Sequence, residues 1–432
     1  MNRISTPLHA IRRTGLARLG LAAALASGMI LGSTALPAAA HAKDAKKGAK
    51  EEKEANTKAF AEAYQPLADI VNAADGDYAA AKARIPTVVA VIGNDTDKYA
   101  MANLILALGN KTNDVALQSQ GVRMILDSGK AAPDQVGQMH YYLARWAYDA
   151  KDYAEARTQF QASADAGFTE GEPAALIADT YFGENRNAEG LQYLSNLIEN
   201  RRAAGQPVPS QWILRGLKVA YDANMTEQAN GYAVALVAND PSPANWINAL
   251  QVVYLANQLD AQGQLDLLRL MRETGALKQR REYVDYIEAA DPRRMANEVL
   301  TVLEAGKQAG IFTEGDSFYK DMKAQADQRA AADRAEAQAL VAEARGDASG
   351  TTAQGVADVF LSFGSYQQAA EMYQVALEKG VRDHDMILTR LGIAQTRAGN
   401  YSDARAAFEQ VAGPRAPIAR MWLAHLGAKA AT

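Results

Sequence analysis

The chain has 432 residues, with 45 basic against 50 acidic side chains for a formal net charge of −5, and it has no cysteine. An acidic balance gives a nucleic-acid partner no electrostatic support. The lack of cysteine excludes disulfides, a lipoprotein anchor and thiolate metal sites.

The chain opens on "MNRISTPLHAIRRTGLARLG", with four arginines and no acid, and runs into the apolar "LGLAAALASGMILGSTALPAAAHA". A basic region, an apolar region and the ending Ala40-His41-Ala42 make the pattern of a secretory signal peptide. A retained membrane anchor is the competing reading, because the apolar run is about long enough to span a bilayer. Pro37 and the small residues ahead of Lys43 favour cleavage. Residues 1–42 are therefore expected to be removed after Ala42 by the general export route. The expected location is the periplasm, with secretion as the alternative. No later apolar run is long enough to cross a membrane, so no integral segment is expected after cleavage. Residues 43–58, "KDAKKGAKEEKEANTK", are charged and nearly free of large apolar side chains, as in a flexible linker or a frayed helix.

From residue 59 onward one phrase recurs. It reads "ADIVNAADGDYAAAKARI" (68–85), "LARWAYDAKDYAEARTQF" (143–160), "VADVFLSFGSYQQAAEMY" (356–373) and "LGIAQTRAGNYSDARAAF" (391–408). Each copy places a Tyr, an Ala three residues later and a bulky residue four after that. The sets are Tyr78/Ala81/Ile85, Tyr153/Ala156/Phe160, Tyr366/Ala369/Tyr373 and Tyr401/Ala404/Phe408. Offsets of three and seven lie on one helical face. A break ("DG", "KD", "GS" or "GN") precedes each Tyr, and such residues end helices. Each phrase therefore predicts a helix, a tight turn and a second helix, with the Ala at a close helix–helix approach.

These residues resemble the tetratricopeptide repeat, a helix-turn-helix unit of about 34 residues. Weaker copies lie between the clear ones. Gly190 stands where the small residue belongs, Ala229 takes that place in the next unit with Pro241 ending its helix, Trp246 begins another, and residues 97–128 also fit. The resemblance implies an all-α solenoid of stacked helix pairs, with seven to nine repeats and a concave face that binds peptides. Residues 59–311 form the first repeat block. Within it, "REYVDYIEAADPRRMANEVL" predicts helices on both sides of Pro292, with the proline starting the second. Residues 316–348, rich in Ala, Gln, Glu, Arg and Lys, predict one helix of about 30 residues that packs on one side or bridges two blocks. Residues 350–432 carry the last repeats, and "PRAPIARMWLAHLGAKA" is expected to cap the final apolar face.

Chemistry is sparse. Beyond the signal region only His140, His384 and His425 remain, without a partner at metal-ligand spacing, and no HExxH, GxSxG or P-loop occurs. No catalytic, cofactor or metal site is expected, and no acidic pair stands out. The basic clusters Arg201-Arg202, Lys278 to Glu282 and Arg293-Arg294 read either as solvated helix ends or as a dock for an anionic polymer or membrane surface. The late positions of successive first helices hold Tyr148, Phe182, Tyr221 and Tyr254. With Tyr141, Arg145, Asp179, Lys218 and Gln251 they form a candidate partner groove. A shift of one position would instead place the rings in the inter-repeat core. The function expected is an exported, non-catalytic scaffold for a protein or peptide partner. The alternative is a cell-envelope factor that handles an anionic polysaccharide.

Overall fold

The computed structural model describes residues 55–430. The expected signal peptide, and the linker as far as residue 54, lie outside these residues. The protein is an all-α solenoid of helical repeats, and among the described residues no strand occurs. No described helix is long and apolar enough to cross a membrane. Two compact units divide the chain between Gly190 and Leu191, and each is described by itself.

The first unit pairs α1 (Lys58–Asn72) with α2 (Tyr78–Val89), α3 (Asp95–Thr112) with α4 (Val115–Asp127), and α5 (Pro133–Asp149) with α6 (Tyr153–Asp165). Then comes α7 (Pro173–Gly183), and α8 (Asn187–Ala203) begins in this unit and continues in the second. Short polar residues set the helix starts. The side chains of Asp77, Asn94, Asp114 and Asp152 each accept from a backbone N–H in the first turn of the helix that follows, satisfying donors that would otherwise lack partners. Phe60, Leu67, Val71, Ile85, Met101 and Ile105 fill the core between the first three helices.

The second unit continues with α9 (Ser210–Asp222), α10 (Thr226–Asn239), α11 (Pro243–Ala256), α12 (Ala261–Glu273), α13 (Arg280–Ala290) and α14 (Ala296–Gln308). The 30-residue α15 (Ser317–Gly346) follows, capped by Asp316, whose carboxylate accepts from Phe318 N and Tyr319 N. Its buried residues are Tyr319, Ala326, Asp333, Ala337 and Ala344. That spacing marks one narrow stripe, so the helix packs on a single side, against α14 and α16 (Thr351–Ser362). The unit ends with α17 (Tyr366–Lys379), α18 (His384–Ala398), α19 (Tyr401–Phe408), a 3-10 turn and α20 (Ala416–Ala430).

The recurring phrase has a packing reason. Ala81, Ala156, Ala369 and Ala404 are all fully buried, and Ile85, Phe160, Tyr373 and Phe408 are buried beside them. Each phrase Tyr opens its helix. Three of the rings lie beneath the end of the first helix of the next pair. Lys111 sits 5.4 Å over the Tyr78 ring, Gly183 leaves room for the Tyr153 ring, and Arg397 lies 5.7 Å from the Tyr366 ring. Tyr401 has no further pair above it and stays 43% exposed.

One expectation is corrected. Pro292 does not start a helix: α13 ends at Ala290, Asp291 takes a left-handed φ of 59°, and α14 begins four residues after the proline, at Ala296. The last helix is more than an end cap. Trp422 is fully buried, and α20 packs against α10, α11, α12 and α18 as well as α19. The second unit therefore closes on its own earlier helices.

Two glycines of one helix pair should respond with opposite signs. Gly216→Ala in α9 would drive a methyl group into the Tyr232 ring, while Gly231→Ala in α10 would enter open space. Gly231→Ala should stabilise by about 0.5–1 kcal/mol, the usual helix gain, and Gly216→Ala should destabilise despite that gain. Urea melts of the two variants check the pair.

Candidate functional site

The closure of the second unit rests on charge that is out of contact with water. Helix α12 reads "AQGQLDLLRLMRE", apolar on every face near its middle, so Asp266 and Arg269 are both fully buried. Asp266 Oδ1 accepts from Arg269 Nη1 at 2.7 Å and Arg390 Nε at 3.4 Å, and Oδ2 accepts from Arg415 Nη1 at 2.8 Å. Its backbone carbonyl accepts from Trp422 Nε1 at 3.2 Å. Arg269 also forks onto Glu298 at 2.9 and 2.7 Å, and Tyr286 donates to the same carboxylate at 2.8 Å. Arg390 Nη1 donates to both oxygens of Asp358 at 2.8 and 2.9 Å, and Tyr373 donates to Asp358 at 2.6 Å. Three guanidiniums thus meet three carboxylates, and the fork of Arg269 onto Glu298 is the strong form of such a pair. Burial alone would push the Glu298 carboxyl up, but the Arg269 guanidinium outweighs it and holds the group down to about 2.

A second carboxylate anchors the far end of α20. Glu273 accepts from His425 Nε2 at 3.3 Å, Lys429 Nζ at 3.1 Å and Arg397 Nε at 3.3 Å. Burial opposes its ionisation, and these hydrogen bonds, with the charge of Arg397, still hold the carboxyl down to about 2. The acids were expected on solvated helix faces, and Asp266, Glu298 and Asp358 are instead buried against arginines. The available signal was an Asp or Arg enclosed by Leu, Met and Ile on all sides, in "QLDLLRLM" and "MILTRLGIA".

Where α20 returns to α10 it leaves an open cleft of about 820 Å³. Leu259, Val411, Pro414, Pro417 and Leu423 supply an apolar wall, and Asn230, Asn257 and Thr226 a polar one. The two asparagines hold each other: Asn230 Nδ2 donates to Asn257 Oδ1 at 3.0 Å, and Asn257 Nδ2 donates back at 2.8 Å. At the rim Arg420 forks onto Glu227 at 2.7 and 3.2 Å. Arg420 Nε is buried without a hydrogen-bond partner. A cleft with an apolar floor and side-chain amides can take an extended peptide, whose backbone needs both donors and acceptors.

The residues of the aromatic groove fall in both units. Tyr141, Arg145, Tyr148, Asp179 and Phe182 belong to the first, and Lys218, Tyr221, Gln251 and Tyr254 to the second. Tyr148 is half-buried, edge-on to Tyr153 at 5.3 Å. Phe182, also half-buried, sits in the notch left by Gly190. Tyr141 packs among Tyr142, Phe160 and Phe168, while Arg145 and Asp179 are half-buried. Tyr221 and Gln251 are half-buried, and Lys218 is exposed and paired with Asp222. Tyr254 is only 9% exposed, and its hydroxyl donates to Asp285. The basic clusters are largely engaged: Arg280 with Asp316, Arg281 with Asp285, Arg293 with Asp291, and Arg201 stacked 5.2 Å from the Trp212 ring. His384 is exposed at the start of α18, and no metal-holding cluster of His, Asp and Glu occurs among the described residues.

No protein-family model matches the chain, and no curated protein matches it.

The buried carboxylates give stability a definite dependence on pH. Glu298 and Glu273 titrate below their ordinary value, so their contribution is fully present above about pH 4.5 and is lost as pH falls towards about 2. Glu298→Gln leaves Arg269 short of charge in the core and should cost about 3–5 kcal/mol near neutral pH. The gap to the wild type should narrow steadily on acidification. Urea melts of both proteins between pH 6 and pH 2.5 measure it.

Proposed function

We propose that the chain is an exported, non-catalytic scaffold of tetratricopeptide type that binds a protein or peptide partner in the second-unit cleft. The repeat type rests on the Tyr/Ala/bulky phrase and on its 35-residue spacing from Tyr366 to Tyr401, close to the family period. Export rests on the basic, apolar and Ala40-His41-Ala42 pattern of the first 42 residues. The non-catalytic reading is supported by where the polar groups are spent. The buried acids and arginines satisfy one another, so none of their carboxylates stands ready as a general base.

One observation carries the binding reading: the cleft of about 820 Å³ that combines an apolar wall with paired asparagine amides. The asparagines can exchange their mutual bonds for a peptide's N–H and C=O groups with little net loss of hydrogen bonding. Proline and leucine side chains opposite would receive alternate side chains of an extended segment. The polysaccharide alternative has less support, because Arg280, Arg281 and Arg293 already have acidic neighbours.

Peptides selected from a displayed random library on the chain lacking residues 1–42 test the reading. Leu423→Arg places a charge on the half-buried cleft wall and should weaken the selected peptides by more than about 1 kcal/mol. Tyr221→Ala, on the aromatic-groove alternative, should leave them unchanged. The reverse pattern would move the site to the aromatic residues.

A further inference from the structure

A second recess in the same unit has the chemistry of an anion site. It opens between the ends of α12 and α18, with a volume of about 420 Å³, and is lined by Arg272, Glu273, Tyr366, Thr396, Arg397 and Lys429 among others. A smaller inner compartment of about 140 Å³ shares Arg272, Tyr366 and Arg397 with it and adds Asn297 and Ser362.

The two arginines that line both compartments are under-used. The Arg272 side chain makes no hydrogen bond or ion pair among the described residues, although it is half-buried. Arg397 has a side chain only 9% exposed, and of its guanidinium only Nε is engaged, on Glu273 at 3.3 Å. Neither Nη group makes a hydrogen bond among the described residues; the Tyr366 ring lies 5.7 Å away, and Glu298 and Tyr286 interact with the guanidinium through charge alone. A guanidinium carries five donors, and those not engaged within the protein face the recess, where a ligand's oxygens can accept from them.

The recess is also cationic. Arg272 and Arg397 line both compartments, Glu273 is shared among Arg397, His425 and Lys429, and Glu298 takes a fork from Arg269. The Asn297 amide and the Thr396 and Ser362 hydroxyls stand around it as neutral hydrogen-bonding groups.

We infer that this recess binds a doubly charged phosphoryl group, held by the guanidiniums of Arg272 and Arg397. A single carboxylate has two oxygens and could not occupy the donors of both guanidiniums. A tetrahedral dianion offers enough acceptors to both. Tyr366 and Tyr401 also line the recess and offer aromatic surface to the remainder of a phosphorylated small molecule. This site is separate from the peptide cleft, and its test does not depend on that reading.

Calorimetric titration of the full chain with inorganic phosphate at pH 7.5 and constant ionic strength decides the matter. The expected result is one saturable site, with acetate at least tenfold weaker. Arg272→Gln should weaken phosphate at least tenfold, and Arg84→Gln, on the exposed face of α2, should not. Should Arg272→Gln fail to fold, Asn297→Asp carries the test: a negative charge in the inner compartment should also reduce phosphate binding at least tenfold. Absence of a saturable phosphate site, acetate binding as tightly as phosphate, or phosphate binding retained in folded Arg272→Gln or Asn297→Asp would each overturn the inference.

Discussion

Asp266 lies in the middle of α12 and is shared by three arginines that come from its own helix, from α18 and from the turn before α20. The partners Arg390 and Arg415 are 124 and 149 residues away in sequence. A fully buried carboxylate cannot remain charged in a protein interior unless such partners are present. The last helices of the second unit are therefore required by an acid in the middle of the chain, and the arginines they bring need that acid equally. Buried ion clusters add little stability over well-packed apolar side chains. On this account the contribution of the cluster is to select which helices meet.

Much of the second unit follows from that constraint. A plain stack of helix pairs couples each repeat to its neighbours alone. Here Trp422 is inserted against α12, with its indole nitrogen on the Asp266 carbonyl, and Glu273 ties α12 to Arg397, His425 and Lys429. The amphipathic cleft lies on one side of this seam and the cationic recess on another. Both are products of the closure, since each has one wall from α10–α12 and one from α18–α20. A ligand at either place would read the closed state of the unit, which offers a physical route to coupling ligand binding with closure.

The repeat phrase was legible because its offsets are local: three and seven residues along a helix define a face without reference to the rest of the chain. Tyr78, Tyr153 and Tyr366 open their helices as their turn residues predict, and α15 appears at the expected length because nothing in "AQADQRAAADRAEAQAL" interrupts it. Pro292 was misplaced because the left-handed Asp291 and the turn after it depend on tertiary packing that a motif does not encode. Closure was hidden for a different reason. Which arginine meets Asp266 depends on the accumulated rotation of the intervening helices, and no local pattern carries that sum. The burial of Asp266 and Arg269 themselves was readable, because a helix segment apolar on every face has no solvated side. The aromatic ladder was the least legible, since half-buried rings such as Tyr148 and Phe182 sit between packing and exposure, and one position of register decides which.

Native-state hydrogen exchange on the full chain tests the central claim most directly. If the buried cluster joins the middle of the unit to its end, amides in α12, α18 and α20 should share one large opening free energy. Asp266→Asn should then lower the protection of all three together while leaving α3 and α4 of the first unit unchanged. Exchange of α20 as an independently fraying terminal helix, with α12 protected to the same degree in wild type and Asp266→Asn, would contradict the account.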